Sequence, residues 1–220
     1  MARPPKADAP DDSRNKILNA AEMLFGEHGY DGASVREIAA AAGMTIGLLT
    51  YYYPSKNSLY EATVERRAPL VGADRLALLE KERQVYTPHA IPIERIIYCY
   101  AWPFLSRLLG GADEGWKSYT KLISGVANSR RWAALVGKYY DPVAQLFIAE
   151  LRRSLPDSDE EHIINGFTFF VSAMLGVAAE TGRANRLAQS SAIPPEIEHI
   201  VGQMIAFLAA GFRASAAVKS

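Results

Sequence analysis

The sequence predicts an all-α protein: a small N-terminal head of three helices followed by a larger C-terminal helical domain. Three observations carry this. Apolar residues recur at the three- and four-residue spacing of amphipathic helices along most of the chain. Helix formers dominate, and no run of alternating β-branched residues marks a strand. Between residues 34 and 56 the chain repeatedly offers a capping residue, a short helical run and a stop.

The first helix is expected from Ser13 to Tyr30. Ile17, Ala20, Ala21, Leu24, Phe25 and His28 share one face, Ser13 suits the N-cap and Gly29 the stop. After the Asp31-Gly32 turn, Ser34 and Glu37 have the spacing of a capping box, and a short helix follows through Ala42. Gly43 ends it. Thr45 caps a third helix, Ile46 to Tyr53, which Pro54 stops, and Ser55 caps a fourth. Two short helices separated by a glycine-containing turn and supported by a longer one form a helix-turn-helix, with Ala39 to Ala42 small enough for close approach.

The second helix of such a pair reads the major groove, and its residues suit that role. Thr45, Thr50 and Tyr51 offer hydroxyls, Ile46 and Leu48 offer apolar contact to thymine methyls, and Gly47 permits close approach. The run Ala42-Gly43-Met44-Thr45-Ile46-Gly47-Leu48-Leu49-Thr50-Tyr51-Tyr52-Tyr53-Pro54-Ser55-Lys56-Asn57-Ser58-Leu59, with Ile17 to Phe25 and Gly29-Tyr30 upstream, resembles the signature of TetR-type (tetracycline-repressor-like) regulators. The resemblance covers about residues 14 to 65. It implies base or groove contacts from Arg36, Thr45, Ile46, Gly47, Leu48, Thr50 and Tyr51, and phosphate contacts from Ser34, Tyr52 and Lys56. Ile46 and Thr50 depart from the polar or basic residue and the tyrosine common at those positions. Over residues 1–67 acidic side chains slightly outnumber basic ones. Positive charge near the groove is therefore expected only from Arg14, Lys16, Arg36 and Lys56, with modest, salt-dependent affinity.

Pro69 predicts a kink or break near Arg66 to Pro69, a candidate joint between the two parts. Leu70 to Gln84, Ile93 to Leu109, Glu114 to Asn128 and Ser129 to Leu155 then read as helices. All three tryptophans fall within the last three of these stretches. Aromatic-rich cavities between helices are where bundles hold small ligands, so Tyr98, Trp102, Phe104, Trp116, Tyr119, Trp132, Tyr139, Phe170 and Met174 are candidates for a pocket. Arg107, Lys121 and Arg131 are candidates for fixing a polar or anionic head group.

The last two helices are expected at Asp157 to Leu187 and Pro195 to Ala214, both apolar nearly all round. Such a helix must be buried on two sides, one against its own domain and one against a partner chain. A homodimer interface through Phe167, Phe170, Met174, Met204, Ile205 and Leu208 follows, in line with the four-helix interface that the family resemblance implies.

Several function classes lose their footing. The histidines His28, His89, His162 and His199 are scattered, so neither metal nor hydrolase chemistry is indicated and no cofactor is expected. His162 and His199 have one conceivable role, titration across a dimer interface. Gly111 to Lys117 is one residue short of a phosphate loop and lacks its preceding strand. The lone Cys99 excludes an intramolecular disulfide and reads as a buried thiol. The longest apolar run, Phe167 to Ala179, is shorter than the ~18 residues of a membrane span, and Met1 to Asp12 has no apolar segment, so a flexible tail and a cytoplasmic location are expected.

The expected organisation is thus a tail (1–12), a helix-turn-helix DNA-binding domain (13–60) and a helical ligand-sensing and dimerisation domain (61–216). The expected function is a homodimeric repressor on double-stranded palindromic operator DNA, released by an apolar or aromatic small molecule. The alternative is a ligand-independent DNA-binding protein whose C-terminal domain only dimerises or binds a protein partner.

Overall fold

Capping and patterning begin to act at the N-terminal helix of a computed structural model that describes residues 10–109, 115–127, 129–179, 181–187 and 196–215. Helix α1 spans Pro10–Gly32 and buries Ile17, Ala20, Ala21 and Phe25. It starts ahead of Ser13, which is buried inside the helix and is not its cap. Gly29, at φ 70°, breaks the helical geometry where a stop is expected, and the chain resumes a helical turn to Gly32. Helix α2 (Val35–Ala41) opens on the expected box: Ser34 Oγ accepts from the Glu37 N–H, and Glu37 accepts from the Ser34 N–H at 2.9 Å. Gly43, at φ 68°, turns the chain into α3 (Ile46–Tyr52), where Thr45 Oγ1 accepts from the Leu48 N–H.

Helix α4 (Lys56–Tyr86) corrects one expectation, because it passes through Pro69 without ending. Its buried stripe runs on from Val64, Arg67 and Ala68 to Val71, Gly72, Arg75 and Leu79. Pro69 and Glu65 both face solvent, so water can satisfy the carbonyl that loses its intrahelical partner. Packing on one face therefore outweighs the proline. The expected 60/61 domain boundary accordingly falls inside a continuous helix.

Helices α5 (Ile93–Leu105, continued by a 3₁₀ turn to Leu109) and α6 (Gly115–Ala127) follow. The stretch 129–155, expected as one helix, divides into a 3₁₀ turn at Arg130–Trp132, α7 (Ala133–Tyr139) and α8 (Asp141–Ser154). Pro142 explains the division, since it cannot donate to a preceding turn and fits only the start of a helix. Helix α9 (Glu160–Ala178) starts later than expected, on its Asp159 cap, whose carboxylate accepts from the His162 N–H. Gly182 at φ 64° precedes the short α10 (Arg183–Leu187), and α11 is Ile197–Ser215. No strand occurs among the described residues. Of the expected tail 1–12, residues 10–12 are already helical; residues 1–9, most of the Gly111 to Lys117 run, and Pro195 lie outside the described residues.

Head and body are not separate units. Helix α1 packs most extensively on α6, so closely at Gly26 that a Cβ there would overlap the Ser118 carbonyl. The same continuous core extends into the body between α4, α5, α8 and α9 around Tyr100, Phe147, Phe167 and Phe170, whose rings meet edge to face.

Candidate nucleic-acid interface and effector cavity

Helix α3 is anchored by one residue, Leu49, which is buried against the head core. Its other side is open. Tyr51 is 79% exposed, and Ile46, Gly47, Leu48 and Thr50 share the exposed surface with it. Large apolar groups exposed together on a seven-residue helix mark a surface for a partner. The flanking groups are ordered by local bonds. The oxygens of Ser34 and Thr45 accept from helix N–H groups; this leaves the Thr45 hydroxyl proton free to donate outward, while that of Ser34 serves the Glu37 carboxylate. Thr50 differs: its hydroxyl donates back to the carbonyls of Ile46 and Gly47, so it offers only a lone pair.

The cations around this surface are held by rings. Lys56 Nζ lies 4.5 Å from the centre of the Tyr30 ring, and Arg14 lies 5.6 Å from that of Tyr52, itself edge-on to Tyr51. Arg36 is exposed on α2. Lys16, expected to add to this charge, forms an ion pair with Asp12 at 3.0 Å. The structure thus brings Arg36, Ile46, Gly47, Leu48, Thr50 and Tyr51 to the exterior of the head, with Lys56 and Tyr52 half-buried beside them.

The aromatic candidates for the pocket separate into distinct places. A cavity of about 100 Å³ lies between α4, α5, α6, α8 and α9, and of the expected set only Phe104 and Met174 line it. Tyr98 and Trp102 stack on each other along α5. Trp116 carries the guanidinium groups of Arg67 and Arg107 on its ring. Trp132 packs against Tyr30 and Tyr60 at the junction of head and body. Tyr119 is wholly buried with its hydroxyl 2.6 Å from that of Tyr140, while Tyr139 and Phe170 lie away from the cavity.

The expected cations miss the cavity as well. Arg107 pairs with Asp74, Arg131 pairs with Asp31 over the Tyr30 ring, and Lys121 is exposed on α6. The cation that does line the cavity is Arg75. Its position was hidden in the sequence, because a charge in a long amphipathic helix reads as part of the solvent face. Cys99 is fully buried, and burial pushes its thiol up to about 12, so it stays protonated at neutral pH.

The expected dimer residues need correction. Phe167, Phe170, Met174, Met204 and Leu208 point into the protomer's own core, and only Ile205 is half-buried. The apolar groups that α9 and α11 leave outside are Phe169 (68% exposed) and Phe207 (79% exposed). Both line an open groove with Gly166, Gly211 and His162. A helix apolar all round shows by pattern that it has two buried faces but not which face is which. His162 Nε2 donates to the Phe212 carbonyl at 3.3 Å, while His199 sits thirteen residues before Phe212 in the chain, about 20 Å away along α11, so the two do not meet within a protomer.

Comparison with known proteins agrees with this architecture. The profile of "Bacterial regulatory proteins, tetR family" matches residues 17–63, and that of "Tetracyclin repressor-like, C-terminal domain" matches residues 98–211. The chain belongs to the tetR family. It is 33% identical over 96 residues to the HTH-type transcriptional dual regulator CecR of Shigella flexneri, a match covering 44% of this chain and 38% of CecR. It is 38% identical over 61 residues to the HTH-type transcriptional repressor AcnR of Corynebacterium glutamicum, covering 28% and 32%. These matches span roughly a third of the relatives' length. A TetR-like transcriptional regulator from Rhodococcus sp. RHA1 shares the fold, with a TM-score of 0.58 at 20% identity over 99% of this chain and 100% of that one.

Proposed function

We propose that the chain is a homodimeric, effector-responsive transcriptional regulator that binds palindromic double-stranded DNA through α3 and represses transcription until a small molecule enters the body. The outer surface of α3 carries this reading: Ile46, Leu48 and Tyr51 are exposed on the helix that a helix-turn-helix lays in the major groove. Arg36, Thr45, Gly47, Thr50 and Tyr51 would meet bases, and Ser34, Tyr52 and Lys56 would meet phosphates. The start of α4 assists, since its free N–H groups favour an anion beside Lys56. Repression is what the name of AcnR states for that relative.

Dimerisation through α9 and α11 supplies the second recognition helix. Only a third of the most apolar stretch of α9 is buried in the protomer, which leaves Phe169 and Phe207 to meet a second copy. Two half-sites one helical turn apart, ~34–36 Å, call for two heads at fixed spacing. Helix α4 links cavity to head, because Arg75 and Lys56 belong to the same helix, nineteen residues or about 28 Å apart along its axis. An effector that shifts α4 shifts the head, and DNA affinity falls by the ligand's differential binding to the two states.

The test is selection of bound duplexes from random DNA, followed by fluorescence anisotropy on the selected sequence. A palindromic site bound by a dimer, with affinity falling steeply with salt, is expected. Failure to enrich any sequence overturns the reading.

A further inference from the structure

Four charged side chains are buried among the described residues: Glu22, Arg67, Arg75 and Glu150. Arg67 pairs with Glu22, and Glu150 with Arg83. Arg75 is 2% exposed and has no carboxylate within ion-pair distance among the described residues. Its guanidinium lies flat on Tyr100, 3.6 Å from the ring centre, and Nε donates to the Tyr100 carbonyl at 2.7 Å. One Nη2 proton reaches only the Met174 sulfur, at 3.8 Å. The remaining N–H groups of the fork have no protein acceptor among the described residues. A buried cation left in this state is costly, and an anionic partner with hydrogen-bond acceptors relieves the cost.

Arg75 lines the cavity of about 100 Å³, whose wall is otherwise mostly apolar, with Phe104, Phe167, Val171 and Met174 among its members. The single carboxylate of the lining, Asp141, is exposed at the start of α8 and makes no ion pair with Arg75. Tyr140 also lines the cavity, and its hydroxyl meets that of Tyr119. The Tyr119 hydroxyl donates to the Val64 carbonyl at 3.5 Å, so Tyr140 is the donor in that pair and its proton is engaged. The lining therefore holds one buried planar cation in a mostly apolar compartment, with the exposed Asp141 as its carboxylate.

We infer that the cavity binds a monocarboxylate with a compact apolar tail, its head group paired with the Arg75 fork and its tail among Phe104, Phe167 and Met174. This rests on the reading of the body as an effector domain and names the effector's class. A carboxylate matches the guanidinium fork in plane and charge. A phosphate dianion would need a second cation, and none lines the cavity. The volume is below the ~150 Å³ of an apolar cavity that holds benzene, which favours a compact tail over a long chain.

The full chain, wild type and variant, is titrated calorimetrically with propionate, propionamide and inorganic phosphate. Propionate is expected to bind about ten- to a hundredfold more tightly than propionamide, the span a charge-assisted hydrogen bond adds over a neutral one. Arg75→Gln is expected to bring propionate down to the propionamide level with the circular dichroism spectrum unchanged. Should that variant unfold, Arg75→Lys, which keeps charge and loses the fork, is expected to weaken propionate at least about tenfold and leave propionamide unchanged. Equal binding of propionate and propionamide, tighter binding of phosphate, no saturable propionate binding, or a folded Arg75→Gln that keeps the preference each overturns the inference. Anisotropy on the selected DNA separates it from the wider reading. Release by propionamide as readily as by propionate would leave effector control standing and remove the carboxylate assignment. Arg75-dependent propionate binding with unchanged DNA affinity would do the reverse.

Discussion

Between α1 and α4, Glu22 and Arg67 meet through two parallel hydrogen bonds of 2.5 and 2.8 Å, both side chains buried and the guanidinium stacked on Trp116. Such a pair adds little over a well-packed apolar pair, but breaking it strands a charge. Arg67→Met should therefore destabilise the protein by about 3–5 kcal/mol in urea unfolding, and adding Glu22→Leu should recover much of that loss. Tyr51 behaves in the opposite way, because it touches solvent and not the core. Tyr51→Ala should leave the thermal midpoint unchanged while weakening operator binding by about 1–3 kcal/mol, measured by anisotropy. The first residue holds the scaffold and the second is free of it.

Short elements in the head depend on their caps, and longer ones on close contact. Glu37 accepts hydrogen bonds from Ser34, which hold its carboxyl below the ordinary carboxylate range. A depressed folded-state value means the box contributes stability above the unfolded value and loses it as pH falls through the folded one. Helix α2 should accordingly loosen below pH ~4, seen as faster amide exchange at Glu37 and Ile38, and Glu37→Gln should flatten that pH dependence. The α1–α6 contact fails by another route. Gly26→Ala would place a methyl on the Ser118 carbonyl, and the helices must separate, at a cost of about 1–3 kcal/mol in chemical unfolding. Pro69 illustrates the limit of local signals: the break it predicts does not form, because the buried stripe from Leu59 to Leu79 holds α4 together.

At the scale of the whole molecule, α9 and α11 serve two surfaces at once. Met204 and Leu208 fill the protomer's core, while Phe169 and Phe207 stand outside it. Phe207→Asp should therefore leave the protomer folded, convert the proposed dimer to monomer in sedimentation velocity, and abolish high-affinity operator binding. Leu208→Asp should instead unfold the chain. One near-neutral head carries few cations for phosphate, so the proposed pairing of two heads would add to affinity.

Periodicity, caps and glycines are local properties, and they are enough to place α1 through α3, the Ser34–Glu37 box, the Thr45 cap and the outward residues of the recognition helix. The motif is short and its geometry is set by neighbours in sequence, so the short helices of the head and their caps at Ser34, Thr45 and Ser55 were legible, while α1 starts ahead of Ser13 and Lys16 is paired with Asp12. The body was legible only as a set of helices. Which of two apolar faces turns inward, whether a proline ends a helix, and which charged side chain faces a cavity all depend on helices distant in the chain. Arg75 and Arg107 look alike in sequence; packing alone places one in an apolar cavity without a counter-ion and the other beside Asp74. Burial is a property of the assembled bundle, and the tertiary structure decided it.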